Sequence, residues 1–239
     1  MKKKILISTG GSGGHVIPAV AFYEHLKENF DVSLVVDQRG YKFINKNKFK
    51  YKVLHSPRLS LNLLKLPLTF ISLVISLFKS FFFLKKHRIN ILLATGGYMS
   101  IPICLAAKIL NIKTYLFEPN IVIGRANKFL IKFSYKIFCY SEKIINFPKK
   151  YKNKLVIIDH ILRKEIYNIN NNTKEEINNC INLLILGGSQ GAEFFDKNLK
   201  NSIIDLSKKF KIKVFHQISS KDFTNFELFY KEHNIENKL

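Results

Sequence analysis

The chain has 239 residues, 47% hydrophobic, 13% aromatic and 23% charged, which is enough apolar content for a packed core and excludes wholesale disorder. Lys and Arg number 39 against 17 Asp and Glu, giving a net charge of +22. Such a field favours a polyanionic partner (nucleic acid, an anionic membrane surface or phosphorylated substrates), although a compositional drift toward Lys, Asn, Ile and Phe produces the same excess.

Cys104, Cys139 and Cys180 are odd in number and widely spaced, which excludes a disulfide framework or zinc motif and fits buried thiols in a reducing compartment. The basic start Met1-Lys-Lys-Lys is followed only by Ile5-Leu6-Ile7 before Ser8 and glycine. That is too short for a secretory signal, so a cytoplasmic protein is expected.

In chain order, residues 4–8 form a short apolar run that ends in Thr9-Gly-Gly-Ser-Gly-Gly-His15. Residues 16–28 predict a helix with Pro18 in its first turn, and residues 31–36 a strand. Further strand-like runs are expected at 51–54, 89–93, 113–117, 136–140 and 155–158, separated by helices at 61–86, 101–110 and 125–133. This alternation predicts an α/β fold with a parallel sheet. The Asn-rich stretch 167–179 reads as a linker. The pattern then restarts with a strand at 181–186, a glycine turn at 187–191, one helix at 192–206, a strand at 211–216 and a helix at 223–232, about half of a doubly wound domain.

Nine of the eleven glycines fall in three places: 10–14, 96–97 and 187–191. Each follows a strand and precedes a helix, where bare N–H groups at a helix N-terminus can face a phosphate. Neither a complete dinucleotide fingerprint nor a P-loop is present. Asp37, at the end of the second strand, keeps a ribose-binding role open.

Ser8-Thr-Gly-Gly-Ser-Gly-Gly-His-Val-Ile-Pro-Ala19, Thr95-Gly-Gly-Tyr-Met-Ser-Ile-Pro102, Phe117-Glu-Pro-Asn-Ile-Val-Ile-Gly-Arg-Ala-Asn127, Leu186-Gly-Gly-Ser-Gln-Gly-Ala192 and His216-Gln217 resemble, in order, the signature segments of the MurG family, which moves N-acetylglucosamine from UDP-GlcNAc onto undecaprenyl-linked lipid I. The resemblance implies a GT-B fold with a Rossmann-like N-terminal domain and, here, an incomplete Rossmann-like C-terminal one. The expected organisation is an acceptor- and membrane-binding domain at 1–163, a linker at 164–180 and a partial UDP-GlcNAc-binding domain at 181–239. Carried over residue by residue, donor contacts fall on Ser12, Gly13, Gly14, Asn120, Arg163 and Ser189. The departures are Ser12 for the usual Thr, Phe117 and Pro119 for His and Gln, and Asp159-His-Ile-Leu-Arg163, which keeps only the arginine of the family's Gly-Asn-Pro-Val-Arg. The family's later diphosphate-gripping loop and acidic ribose contact have no counterpart in these residues.

Inverting transfer to an alcohol needs a base, a stabilised leaving group and aligned substrates. His15 is the candidate base, since histidine exchanges protons near neutrality, and a structural cap is its plainer role. Glu118 is the alternative acid/base. The loop at 187–191 with Ser189, together with Arg163, can meet the leaving diphosphate; without an Asp-x-Asp motif, no metal site and no cofactor are expected. Tyr98 and Ser100 are candidate acceptor contacts.

Along 61–86, Lys65, Thr69, Ser72, Ser76, Lys79 and Ser80 make one polar stripe on a helix with apolar flanks, which fits packing on a domain or lying in a membrane interface better than spanning. Lys79, Lys85, Lys86 and Arg88 would meet anionic headgroups of the inner leaflet, giving a peripheral protein on the cytoplasmic face of the inner membrane. The rival readings are a non-catalytic acceptor- and membrane-docking fragment that needs a partner chain for donor binding, and a nucleic-acid binder. The last lacks any recognition helix, aromatic RNA motif or zinc finger, so no nucleic acid is expected.

Overall fold

The computed structural model describes residues 2–45, 47–54, 66–167, 180–187, 192–218 and 223–239. The chain divides into two compact units, 1–169 and 170–239.

In the first unit, strands β1 (Lys4–Thr9), β2 (Asp31–Val36), β3 (Tyr51–Val53), β4 (Ile91–Ala94), β5 (Lys113–Glu118), β6 (Lys136–Cys139) and β7 (Leu155–Ile157) form one sheet in the order β3-β2-β1-β4-β5-β6-β7. Every pairing is parallel. Parallel strands carry apolar residues on both faces because helices cover both, and β1 shows this: Ile5 and Ile7 join one core cluster, Leu6 the other. Helix α1 (Gly13–Leu26) supplies Val16, Ala19, Val20, Phe22 and Tyr23 to the first cluster. Helices α2 (Leu66–His87), α3 (Ser100–Ile109) and α4 (Arg125–Leu130) cover the opposite face with Leu84, Ile103, Cys104 and Leu130.

Helix α1 begins three residues earlier than its apolar pattern predicts, so Pro18 lies inside it rather than in the first turn. The ring removes one ladder N–H and leaves the Gly14 carbonyl without its i+4 donor. On α2, Ser76 and Ser80 are buried, whereas Leu68, Phe70, Ile71, Ile75, Phe78 and Phe82 stand 49–70% exposed. The serine stripe faces the protein and the apolar flank faces outward. Lys65 lies outside the described residues. By length and composition α2 is apolar enough to cross a membrane.

In the second unit, β8 (Cys180–Ile185), β9 (Lys211–His216) and β10 (Glu236–Lys238) form a parallel sheet ordered β10-β9-β8. Helices α6 (Ala192–Asn198), α7 (Lys200–Lys209) and α8 (Phe223–Glu232) accompany it, while the one-turn α5 (Lys164–Tyr167) belongs to the first unit. The single helix expected at 192–206 is two, because the Asn198 side chain donates to the Phe194 carbonyl at 2.7 Å and competes with the backbone ladder just before Leu199. Strand β10 has no counterpart among the expected elements; Glu-Asn-Lys carries no apolar signal and is a strand only through its pairing with β9.

Candidate functional site

The strand order reverses at β1: α1 leads outward to β2 and β3, and α2 returns the chain to β4 on β1's other side. Ligands of doubly wound sheets bind at the carboxyl ends of the strands flanking such a switch point. The glycine loop 10–14 follows β1 and Gly96–Gly97 follow β4, so both face that crevice.

The first loop is held from below. Asp37, 3% exposed, accepts the Gly11 N–H at 2.9 Å and the Gly40 N–H at 2.8 Å on Oδ1, while the Arg39 guanidinium donates to Oδ2 at 2.9 and 2.8 Å. Burial opposes its charge, but these hydrogen bonds and Arg39 outweigh burial and hold the carboxyl below its ordinary range. Asp37 is therefore committed to the loop and is not a ribose contact. A Cβ on Gly10 would lie 2.8 Å from the Asp37 carboxyl and would push it out of its hydrogen bonds to the loop.

This clamp leaves the start of α1 open. Ser12 occupies the N-cap with extended backbone and no side-chain cap bond, so its hydroxyl is free; the N–H groups of Gly13 and Gly14 have no intrahelical acceptor, whereas those of His15 and Val16 donate to the Ser12 carbonyl at 3.1 and 3.2 Å. His15, in the first turn, is locked by the second loop: its Nδ1 lies 2.8 Å from the Thr95 carbonyl, and Thr95 Oγ1 donates back to the His15 carbonyl at 3.0 Å. A carbonyl only accepts, so Nδ1 is the donor, and in the neutral ring Nε2 is the nitrogen with the lone pair. Gly96 makes room for the ring. Its φ is +100°, and a Cβ there would meet His15 Cε1 at 2.9 Å.

Glu118, at the end of β5, is 1% exposed. Its Oε1 accepts from Asn120 N at 3.2 Å and Nδ2 at 2.9 Å, and its Oε2 from Gly124 N at 2.7 Å and Asn127 Nδ2 at 3.0 Å. Four donors occupy both oxygens, which corrects the expected acid/base role: Glu118 shapes the 118–127 loop and orients Asn120. Burial, with the Glu118 charge adding, pushes the nearby Cys139 thiol up to about 12.

Ser12, Gly13, Gly14 and His15 lie at the switch point, with Tyr98, 38% exposed, on the second loop. Ser100 is fully buried and its hydroxyl donates to the Gly96 carbonyl at 2.8 Å, so it is a turn residue and not an acceptor contact. Arg163 is not at the switch point. It pairs with Glu165 at 2.8 Å, and the next residue, Lys164, donates its N–H to Glu24 at 2.9 Å, about 16 Å along α1 from Gly13. Ser189 lies outside the described residues. Lys79 and Lys85 are exposed on α2, beside its apolar flank. Sequence reasoning missed two residues: Asp37 as the loop clamp and Asn127 as the brace of Glu118. Asn127 also donates to the Phe117 carbonyl at 3.0 Å; the signal was its place three residues after Gly124, at the first turn of a helix.

A parallel sheet with glycine loops on both sides of its switch point is the arrangement of a doubly wound, Rossmann-type ligand-binding domain. Residues 5–139, more than half of the chain, match the glycosyltransferase family 28 N-terminal domain. The chain is 52% identical over its whole length to the UDP-N-acetylglucosamine–N-acetylmuramyl-(pentapeptide) pyrophosphoryl-undecaprenol N-acetylglucosamine transferase of Pelagibacter ubique, and covers 67% of it. A Rickettsia felis protein of the same name is 32% identical over 98% of the chain, with 67% of that protein covered. Among solved structures, Acinetobacter baumannii MurG superposes with a TM-score of 0.72 at 22% identity, over 99% of this chain and 67% of that one. The UDP-GlcNAc 2-epimerase of Methanocaldococcus jannaschii gives 0.62 at 15% identity, over 97% and 69% respectively, a likeness of fold. The chain belongs to glycosyltransferase family 28 and, within it, to the MurG family.

Proposed function

We propose that the chain works in the transfer of N-acetylglucosamine from UDP-GlcNAc to the muramyl 4-hydroxyl of undecaprenyl-linked lipid I, giving lipid II with inversion. The observation that supports this reading is the contact of His15 Nδ1 with the Thr95 carbonyl, which leaves Nε2 available as the proton acceptor beside the free start of α1. In the reaction His15 takes the proton of the acceptor hydroxyl as its oxygen attacks the anomeric carbon, and the bond from that carbon to the diphosphate breaks to release UDP. Ser12 and the N–H groups of Gly13 and Gly14 hold phosphate oxygens. Asn120, oriented by Glu118, and Ser189 are donor contacts in this scheme, and Tyr98 touches the acceptor.

Residues 1–163, together with α5, which belongs to the first unit, serve as the acceptor and membrane domain, the rest of the expected 164–180 linker joins the units, and 181–239 serve as part of the donor domain. Helix α2 lies in the membrane surface rather than across it, because its serine face is spent on the protein. Each exposed Phe, Leu or Ile that enters lipid contributes up to about 1.5–3 kcal/mol, and Lys79, Lys85 and Lys86 add about 1 kcal/mol each against anionic headgroups of the cytoplasmic leaflet. One alternative is a docking role in the acceptor and membrane half of the reaction without donor binding by these residues, favoured by the three-stranded second sheet among the described residues.

Calorimetry of UDP-GlcNAc binding to the full chain, followed by turnover with lipid I, separates the two. Micromolar to millimolar binding that weakens in Ser189→Ala supports a working donor site; absence of binding sinks catalysis by this chain alone and leaves the docking reading.

A further inference from the structure

The segment that follows β2 forms a wall beside the start of α1, and it carries a cation that the transfer scheme does not use. Gly40 lets this wall come close. A Cβ there would lie 2.9 Å from Cγ2 of both Val16 and Val36 and 3.1 Å from the Gly10 Cα. The one-turn 3-10 helix Tyr41–Phe43 is then fixed at both ends: the Tyr41 N–H donates to the Asp37 carbonyl at 3.0 Å, and Ile44, 5% exposed, is anchored in the core. Its last residue, Phe43, lays its ring against Gly13, with Cε1 3.4 Å from the place a Cβ would take. Lys42 is exposed, and its Nζ stands over that ring, 5.1 Å from the centroid.

The other charges near the switch point have partners or stand further off. Arg39 is spent on Asp37 and Arg163 on Glu165, while Arg125 opens α4 after β5, two strands from β1. Glu118 is buried with four donors, none of them a cation. The second glycine loop, 95–98, has no charged side chain. A diphosphate at Gly13 and Gly14 would therefore bring negative charge to a crevice whose Arg39 is already matched by a carboxylate. Lys42 makes no ion pair among the described residues, and a ring face attracts an ammonium without neutralising it. Lysine is a compact charge on a flexible four-carbon stem. Its Nζ can leave the ring for a phosphate oxygen while Phe43 stays against Gly13.

We infer that Lys42 is a diphosphate-binding residue of the first unit: its ammonium meets one phosphate of a diphosphate whose other phosphate sits on the Gly13 and Gly14 N–H groups. The inference rests on the reading of the start of α1 as a phosphate site and supplies the cation for it. The test titrates inorganic diphosphate into the full chain at low ionic strength and follows the backbone amides by NMR. The expected result is a shift of the Gly13 and Gly14 amides, with affinity falling about tenfold or more in Lys42→Met and largely kept in Lys42→Arg. Lys52→Met is the control, since Lys52 stands over the Phe83 ring at 5.5 Å on β3; it should change affinity by less than about twofold. Equal binding by wild type and Lys42→Met, with Gly13 and Gly14 still shifting, would overturn the role of Lys42 and leave the phosphate reading standing. An equal loss in Lys52→Met would reduce the effect to the general positive field and overturn the role as well. Failure of the wild type to bind diphosphate would overturn both. UDP and farnesyl diphosphate, a short polyprenyl diphosphate, then identify the source: the ligand whose affinity drops about tenfold in Lys42→Met is the one that Lys42 serves, and a drop for neither would overturn the proposal.

Discussion

Both units have a glycine-rich segment after their first strand in the sequence, and the two first strands stand in different surroundings. In the first unit the loop after β1 lies between two strands of an interior sheet, clamped by Asp37 below and by Thr95 across the switch point. In the other unit β8 has one neighbouring strand, β9, among the described residues. Glycines permit a phosphate to approach; a crevice also needs the strand on the other side of the reversal. The first unit has that strand in β4, so its site can be read from this chain.

Four measurements would break or sharpen that contrast. If proton transfer belongs to the first unit, His15→Ala should lower turnover with UDP-GlcNAc and lipid I by about 10²–10⁴-fold while donor affinity moves little; Ser189→Ala should do the reverse and raise KM. A common effect on both parameters would erase the division of labour.

Stability should divide in the same way. Leu92, fully buried in β4, is predicted to cost about 2–5 kcal/mol on Leu92→Ala. Leu184→Ala on the open edge should stay within about 0.5 kcal/mol. Chemical denaturation followed by hydrogen exchange reads both, and a large loss at Leu184 would mean that β8 is already covered.

The Asp37 clamp should contribute about 1–3 kcal/mol through the donors that Asp37→Asn leaves mismatched. Its folded carboxyl titrates below its unfolded value, so this stability is present in full above the ordinary aspartate range near pH 4 and is lost as pH falls through the lower folded value. Denaturation midpoints of wild type and Asp37→Asn should therefore differ at pH 7 and converge in strong acid. Curves that stay parallel throughout would show that the carboxylate charge does not matter there.

The smallest effect is expected on α2. Phe78, 56% exposed, should lower partitioning onto anionic vesicles about tenfold as Phe78→Ser with the midpoint of unfolding unchanged. A shift in stability with no change in partitioning would make α2 an ordinary packing helix.

Much of the first unit was legible because its strands and helices carry their own periodicity, and because glycine clusters mark strand-to-helix turns whatever surrounds them. His15 was legible for the same reason, at a fixed distance from those glycines. Other roles depended on partners far away in sequence. Ser100 and Tyr98 sit two residues apart in one loop, yet the helix start turns one hydroxyl onto the Gly96 carbonyl and leaves the other side chain at the surface. Glu118 has the position of a base in the sequence, but the Gly124 and Asn127 donors fold back onto it. Arg163 matches a motif but is held at the far end of α1 by contacts around Glu24 and Glu165.

The sequence by itself determined the alternation of strand and helix, the two glycine turns of the first unit and the family, since these depend on local periodicity and on short motifs within one stretch of chain. Only the tertiary structure decided which face of α2 points outward, which ring nitrogen of His15 meets the Thr95 carbonyl, and that β8 pairs with β9 alone among the described residues. Each of those depends on which distant residues supply a partner, and a hydrogen bond or a buried face exists only once both sides have been brought together.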